Sequence, residues 1–417
     1  MNVLLLLARG TEGTGNTRIT IELQKYIETT GNNVKVITGT DKSWGRRNMQ
    51  ETDFVDYCFS KEGPLDVKKT LGFDKCDMCI IMSVPAKKYP IEAIDNFLIT
   101  LENMHNDGVK LVYLQVDNKI QSINRNFYGL GDSYITRFYS ILDKVIVHHK
   151  EADFCTKFID RKVKPLLTPT YSLDQLQLIS TDFEGLRKQF WCDDKLDKSC
   201  WYIGRSAAWK GWPQFRAFQY NTLKNAGYIG VAEGIERSIN AKQAIWTYDH
   251  AKNTYGDLRP DNNYNDIGSP EDVFANPSAY RNHVLEIYGP YIRLEALSRV
   301  SRSKFGMFFT FTGPQFGGQL EITFLEIIAC GTVPVIRKEL FDNANFCNTR
   351  LDIHKPEDIG LVVYDENNPQ ACLDIMNKLN SDKQLYDTYR ENAYKFFKSI
   401  FDRPVIMKTL FDMCKGA

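Results

Sequence analysis

Two cations and two carboxylates are the residues of this chain whose types and spacing best suit chemistry. In "IGRSAAWKG" (203–211), Arg205 and Lys210 lie between Gly204 and Gly211, where a strand pattern gives way to a helix pattern. Cations on a loop at a strand's carboxyl end can neutralise the charge that builds up on a departing diphosphate. The plain alternative is a pair of solvated surface cations. In "TGPQFGGQLEITFLEIIACGTVPV" (312–335), a glycine-rich loop meets a helix start near Gln319, with Glu321 and Glu326 at or on the helix and Gly331 as its C-terminal cap. Glutamates at this spacing lie about 140° apart around a helix, so they are no conventional acid/base pair. A carboxylate can accept both hydroxyls of a ribose, which suits one of them, and the apolar residues around both argue against a solvated face.

Three further stretches carry candidates. "ARGTEGTGNTR" (8–18) contains Gly10, Gly13 and Gly15 ahead of a helix that also carries Glu22. It misses a phosphate-binding P-loop because Asn16 stands where lysine belongs, and misses the dinucleotide pattern for want of a third spaced glycine. Free N–H groups at a helix start still suit an anion, with a merely structural turn as the alternative. "YLQVDN" (113–118) ends a strand and exposes Asp117, a candidate base or substrate-orienting carboxylate; a lone loop aspartate also serves as an N-cap. "TDKSWGRRN" (40–48) places Lys42, Arg46 and Arg47 around Trp44, a combination for phosphates plus stacking.

The elements that must position these residues follow from periodicity. Strand-like runs at 3–8, 34–38, 78–83, 110–115 and 144–149 alternate with helical patterns such as 16–30 and 91–105. The alternation resumes with strands at 200–204, 284–289, 304–311 and 333–336, a helix after Lys210 and another from about 319 to 329. The pattern predicts an α/β protein of two Rossmann-like doubly wound domains facing a cleft, where ligands of such sheets bind. This is the GT-B layout, shared by many two-domain α/β proteins. We expect a first domain over 1–168, completed by a C-terminal helix over 396–417, a proline-bearing linker over 169–182, and a second domain over 183–395. Residues 250–283 are polar and rich in Asn, Asp and Pro, and read as a long surface loop.

The bulk numbers set limits. At 417 residues, 43% hydrophobic and 25% charged, the chain can build real cores. Lys+Arg and Asp+Glu both number 52, so any polyanion site is a local patch. Ten scattered cysteines make no disulfide scaffold; Cys76 and Cys79, the one close pair, read as reduced core thiols. The six histidines show no ligand spacing, and no motif calls for a divalent metal or a tightly bound cofactor. "VLLLL" is too short for a signal segment or membrane span, so the expectation is a cytoplasmic protein without a membrane partner. Asp-x-Asp at a strand end, a Gly-x-Ser-x-Gly elbow and His-Glu-x-x-His are all absent.

Four blocks carry a specific resemblance: "ARGTEGTGNT" with Glu22, "SVPA" (83–86), "WYIGRSAAWKG" with "EGIERS" (233–238), and "LEITFLEIIACGTVPV". The sequence resembles, nearly end to end, the DNA α-glucosyltransferases of T-even bacteriophages. These GT-B enzymes move glucose from UDP-glucose to 5-hydroxymethylcytosine. The resemblance implies that Arg205 and Lys210 hold the UDP diphosphate and support catalysis, with Glu326 on the ribose and Glu321 near the sugar or diphosphate. Glu236 and Arg237 would complete the donor pocket. Gly13, Glu22 and Asp117 would line the cleft from the first domain, Glu22 and Asp117 as catalytic candidates. Lys42, Trp44, Arg46 and Arg47 would approach double-stranded DNA. It further implies retention at the anomeric carbon, base flipping and, for a phage protein, a location in the host cytoplasm; the neutral chain with a local patch separately suggests a monomer.

One departure bears on the sugar. The family has histidine immediately before the aspartate of "YLQVDN"; here that position is Val116. Some relatives of these phages decorate DNA with arabinose, so UDP-arabinose and UDP-glucose both stand as donors. Two other readings stay open: a GT-B enzyme acting on a lipid-linked or cell-surface glycan, and a degenerate fold that binds without turnover.

Overall fold

The computed structural model describes residues 1–8, 15–39, 54–85, 89–115, 132–147, 172–176, 179–204, 211–235, 271–281, 284–288, 292–310, 320–343, 345–346 and 349–416. It divides into two units, Met1–Leu178 with Pro404–Ala417, and Ile179–Arg403.

The first unit is built on β1 (Asn2–Leu7), β2 (Asn33–Gly39), β3 (Phe54–Tyr57), β4 (Met78–Ser83), β5 (Lys110–Gln115), β6 (Lys144–Val147) and β7 (Ser172–Gln175). They form one sheet in the order β3-β2-β1-β4-β5-β6-β7, with every pairing parallel. β1 is apolar on both faces because both faces are covered. Leu4 and Leu6 pack with Phe97, Leu98 and Leu101 of α2 (Ile91–Asn106). Val3, Leu5 and Leu7 face Ile19, Leu23 and Ile27 of α1 (Gly15–Thr29). The same layer takes Ile406, Leu410 and Phe411 from the last helix of the chain. Lys110 and Lys144 donate to the carbonyls of Lys415 and Met413 at 2.8 Å, in the last turn of that helix where acceptors lack helical partners or share Gly416 N–H.

The second unit repeats the plan. β8 (Leu196–Ile203), β9 (Ile229–Ile235), β10 (Val284–Tyr288), β11 (Ser303–Phe308), β12 (Val333–Arg337) and, after a small hairpin of β13 (Asn345–Phe346) and β14 (Thr349–Arg350), β15 (Val362–Tyr364) supply the strands. The sheet order is β10-β9-β8-β11-β12-β15, again all parallel. Helices α3 (Arg293–Arg302) and α4 (Ile322–Ala329) pack on one face with Trp201 and Ile203. Phe215 and Phe218 of the helix Trp212–Phe218 pack on the other, with Cys200 and Tyr202.

The alternation read from sequence is therefore present, with three differences. Residues 169–182 are not a plain linker: β7 lies within them and adds an edge to the first sheet. The terminal helix expected over 396–417 is two helices. Lys383–Phe401 buries Phe397 and Phe401 in the second unit, the chain turns extended at Asp402, and Arg403–Lys415 returns to the first. Within the expected loop 250–283, two short helical turns lie at Asp272–Ala275 and Pro277–Tyr280. Cys76 and Cys79 are buried free thiols, and burial pushes Cys76 up to about 11.

Candidate functional site

Helix α4, "ITFLEIIA", is apolar apart from Thr323 and Glu326, and Glu326 is only 4% exposed. Burying a lone carboxylate costs several kcal/mol unless a partner compensates it. Arg293, the first residue of α3, donates from Nε to Glu326 Oε1 at 2.7 Å. Glu321 is the N-cap of α4, in extended conformation and without a side-chain cap bond; its Oε1 instead accepts from Thr310 Oγ1 at 3.3 Å. Thr310 and Glu321 thus flank the glycine-rich residues 311–319, which lie outside the described residues. Gly331 ends the helix as predicted: φ is +74° and its N–H bonds to Ile328 O at 2.9 Å. One turn beyond Glu326, burial and then the glutamate's charge push the Cys330 thiol far above the ordinary range.

Helix α3 carries a second arginine to a second carboxylate. Glu233, at the carboxyl end of β9, is 1% exposed and accepts from Arg299 through both oxygens and from Trp201 Nε1 at 3.1 Å. Arg299 Nη1 also reaches Glu271 Oε1 at 3.1 Å. Of the block "EGIERS", the first glutamate is therefore committed to the protein interior. The end of β8 is tied to the same point, since Gly204 N–H donates to Glu233 O at 3.0 Å.

Gly204 and Gly211 bound the loop that bears Arg205 and Lys210. Gly211 has φ +70°, and a Cβ there would sit 1.6 Å from the carbonyl oxygen of Phe309. Only glycine fits this close approach of the loop's end to the β11 end. In the first unit, β1 leads through Ala8, whose carbonyl accepts from Tyr89 Oη at 3.1 Å, toward the first glycine loop, and Glu22 is partly buried on α1.

Of the predicted site residues, Glu321 lies at the N-cap of α4 and Glu326 within it, each with its own partner, and Glu22 is placed on α1 of the other unit. Gly13, Lys42, Trp44, Arg46, Arg47, Asp117, Arg205, Lys210, Glu236 and Arg237 lie outside the described residues, as does Val116. Each of their segments leaves from the carboxyl end of a described strand: β1, β2, β5, β8 or β9. Arg293 carries no sequence signal, because its link to Glu326 spans 33 positions. Among the described residues, no group of His, Cys, Asp and Glu could hold a metal ion, and no helix is long and apolar enough to cross a membrane.

Two Rossmann-like units, each a parallel sheet covered by helices, place the chain in the GT-B fold class, with Glu321 and Glu326 at the start of and within one helix of the second unit. Residues 14–384 match the family described as DNA alpha-glucosyltransferase. The DNA alpha-glucosyltransferase of Enterobacteria phage T4 is 30% identical, the match covering 99% of each chain. The chain belongs to this DNA alpha-glucosyltransferase family. It is similar, with a TM-score of 0.78 and 28% identity over 100% of this chain and 99% of the other, to an alpha-glucosyltransferase solved with UDP-glucose and DNA containing an abasic site. The Anabaena protein Alr3699/HepE, solved with UDP-glucose, shares the fold at a TM-score of 0.57 and 13% identity, each chain fully covered.

Proposed function

We propose that the protein transfers glucose from UDP-glucose to the hydroxymethyl group of 5-hydroxymethylcytosine in double-stranded DNA, with retention at the anomeric carbon. The observation that carries this reading is the end-to-end match to a DNA alpha-glucosyltransferase, supported by the buried, arginine-held Glu326 and its neighbour Glu321. In this reading the second unit holds the donor. Arg205 and Lys210 neutralise the diphosphate, Glu326 accepts the ribose hydroxyls, Glu321 serves the sugar or diphosphate, and Glu236 and Arg237 complete the pocket. No lysine is needed in Gly10–Thr17 because the diphosphate's countercharge comes from the second unit.

The first unit presents the acceptor. Gly13 and Glu22 line it, Asp117 orients the hydroxymethyl group, and Lys42, Trp44, Arg46 and Arg47 meet DNA. In the front-face version of the transfer, the acceptor oxygen bonds to the anomeric carbon as the bond to the diphosphate breaks. The acceptor's proton passes to the departing β-phosphate oxygen, so no external base enters the balance. A duplex target is flipped out at an unstacking cost of a few kcal/mol.

The test is incubation of the pure protein with 5-hydroxymethylcytosine duplex DNA and either UDP-glucose or UDP-arabinose, followed by digestion to nucleosides and mass spectrometry. A hexose increment with UDP-glucose is the expected outcome. A pentose increment alone would make Val116 the mark of a changed sugar, because a site without a polar partner for a donor hydroxyl no longer selects for it. No increment with either donor, while UDP still binds, would overturn the reading in favour of a glycan acceptor or binding without turnover.

A further inference from the structure

We propose that Arg293 is a positioning residue of the donor site, holding the Glu326 carboxylate in the one orientation that accepts a ribose diol. The inference rests on the reading of Glu326 as the ribose acceptor and extends it to a residue that touches neither sugar nor phosphate in that reading.

Two local choices here run against ordinary helix chemistry. An arginine at the first position of α3 meets the positive end of the helix dipole, which is unfavourable. A glutamate in the middle of the apolar α4 costs more, since the carboxylate leaves water. The two are answered by each other, through a short bond from Nε to Oε1 at 2.7 Å. Sequences break local rules chiefly where function demands it. Glu326 is buried while Arg293 is partly exposed, and a buried carboxylate kept for stability alone would gain nothing over a well-packed apolar side chain.

The placement of Arg293 is itself enforced. At the other end of α3, Arg299 grips Glu233 at the close of β9, and Glu233 O receives the N–H of Gly204 at the close of β8. Helix α3 is therefore pinned to the strand ends from which 205–210 and 236–270 depart, and it delivers Arg293 to α4 from that fixed base. With one oxygen held by the guanidinium, rotation of the carboxylate plane is restrained. A planar acceptor set at a fixed angle can distinguish a vicinal diol from a single hydroxyl.

The experiment compares binding of UDP and 2′-deoxy-UDP by calorimetry, with donor KM and kcat, in the wild type, Arg293→Met, Arg293→Lys and Glu326→Gln. We expect Arg293→Met to weaken UDP by about tenfold or more, the worth of one charge-assisted hydrogen bond. The same change should leave 2′-deoxy-UDP nearly unaltered, so the preference for the ribonucleotide collapses. Donor KM should rise with kcat little changed, and Arg293→Lys, with charge but no planar fork, should restore affinity only in part and preference hardly at all. Equal weakening of both nucleotides with the preference intact would overturn the proposal. If Arg293→Met does not fold, the preference measured in Arg293→Lys decides by the same criterion. If Glu326→Gln leaves the preference unchanged, the ribose reading itself fails. If Glu326→Gln removes the preference and the Arg293 variants do not, only the positioning proposal falls.

Discussion

In the first unit, every polar side chain buried among the described residues is a hydroxyl: Thr17, Thr20, Thr38, Ser83 and Thr100. In the second, the buried set includes Arg216, Glu233, Arg299, Lys304, Glu326, Arg337 and Arg390. Both units have the same architecture, a parallel sheet covered by helices, so the fold does not require the charges. Nor does stability, since buried ion pairs seldom outperform apolar packing. The difference teaches that the second interior is built to hold groups in fixed directions. At Glu233 and Glu326, arginines of a single helix fix two carboxylates. Under the proposed function, that frame would serve a polar, doubly charged donor.

The comparison breaks most visibly at Arg299. Arg299→Met leaves Glu233 buried and deprived of both arginine bonds, an expected loss of about 3–5 kcal/mol confined to the second unit. Calorimetry should show one transition lowered and the other unmoved. The double variant Glu233→Gln with Arg299→Met removes both charges and should recover much of the loss. A first unit that falls together with the second would mean that the two interiors are not energetically separate.

Next in size is an effect on rate rather than on folding. If the second unit neutralises the diphosphate, Arg205→Ala should lower kcat by about 10²–10³-fold, the usual worth of one donor aimed at developing charge, at unchanged melting temperature. If the first unit meets DNA, Arg46→Ala and Arg47→Ala should leave donor KM alone. Each should weaken DNA binding and flatten the dependence of log affinity on log salt by about 0.9 for every phosphate no longer neutralised. Loss of donor binding in the Arg46 or Arg47 variants would erase the division of labour between the units.

How much of this was legible beforehand follows the same contrast. The central strands β1, β4, β5 and β11 announce themselves as apolar runs, because both their faces are buried. The strands β3, β7 and β15 do not, since each closes an edge of its sheet and is short. "SLDQ" in β7 reads as linker because a half-polar edge has no periodic signature to offer. Glu321 and Glu326 were legible as a pair on one apolar helix. Arg293 was not, for its partner is 33 positions distant in sequence and a lone arginine at a helix start looks like a solvated cation. Glu233 sits in a block that suggests a ligand site, yet Arg299 and Trp201 claim it for the interior, and only the three-dimensional pairing distinguishes those fates.

The smallest expected effect uses pH to sharpen the contrast between a charged interior and a neutral one. In the second unit, burial pushes the Lys195 ammonium down to about 8, while its Nζ donates to Ser301 O at 2.5 Å near the C-terminus of α3. An unfolded lysine keeps its proton until roughly 10.4. Between those values the unfolded chain therefore binds more protons than the folded one, and stability rises with pH across that window. Below about 8 the lysine is charged in both states, and its burial costs a constant amount of stability. The expected outcome is a difference in unfolding free energy between wild type and Lys195→Met that grows in the wild type's favour from pH 8 to pH 10, seen in the second unit's transition alone. Comparing the two proteins at each pH cancels the titration of every other lysine. A difference that stays flat over this range would mean that Lys195 keeps its proton when folded, and acts as a permanent cation on the carbonyl of Ser301 rather than as a group that burial makes yield.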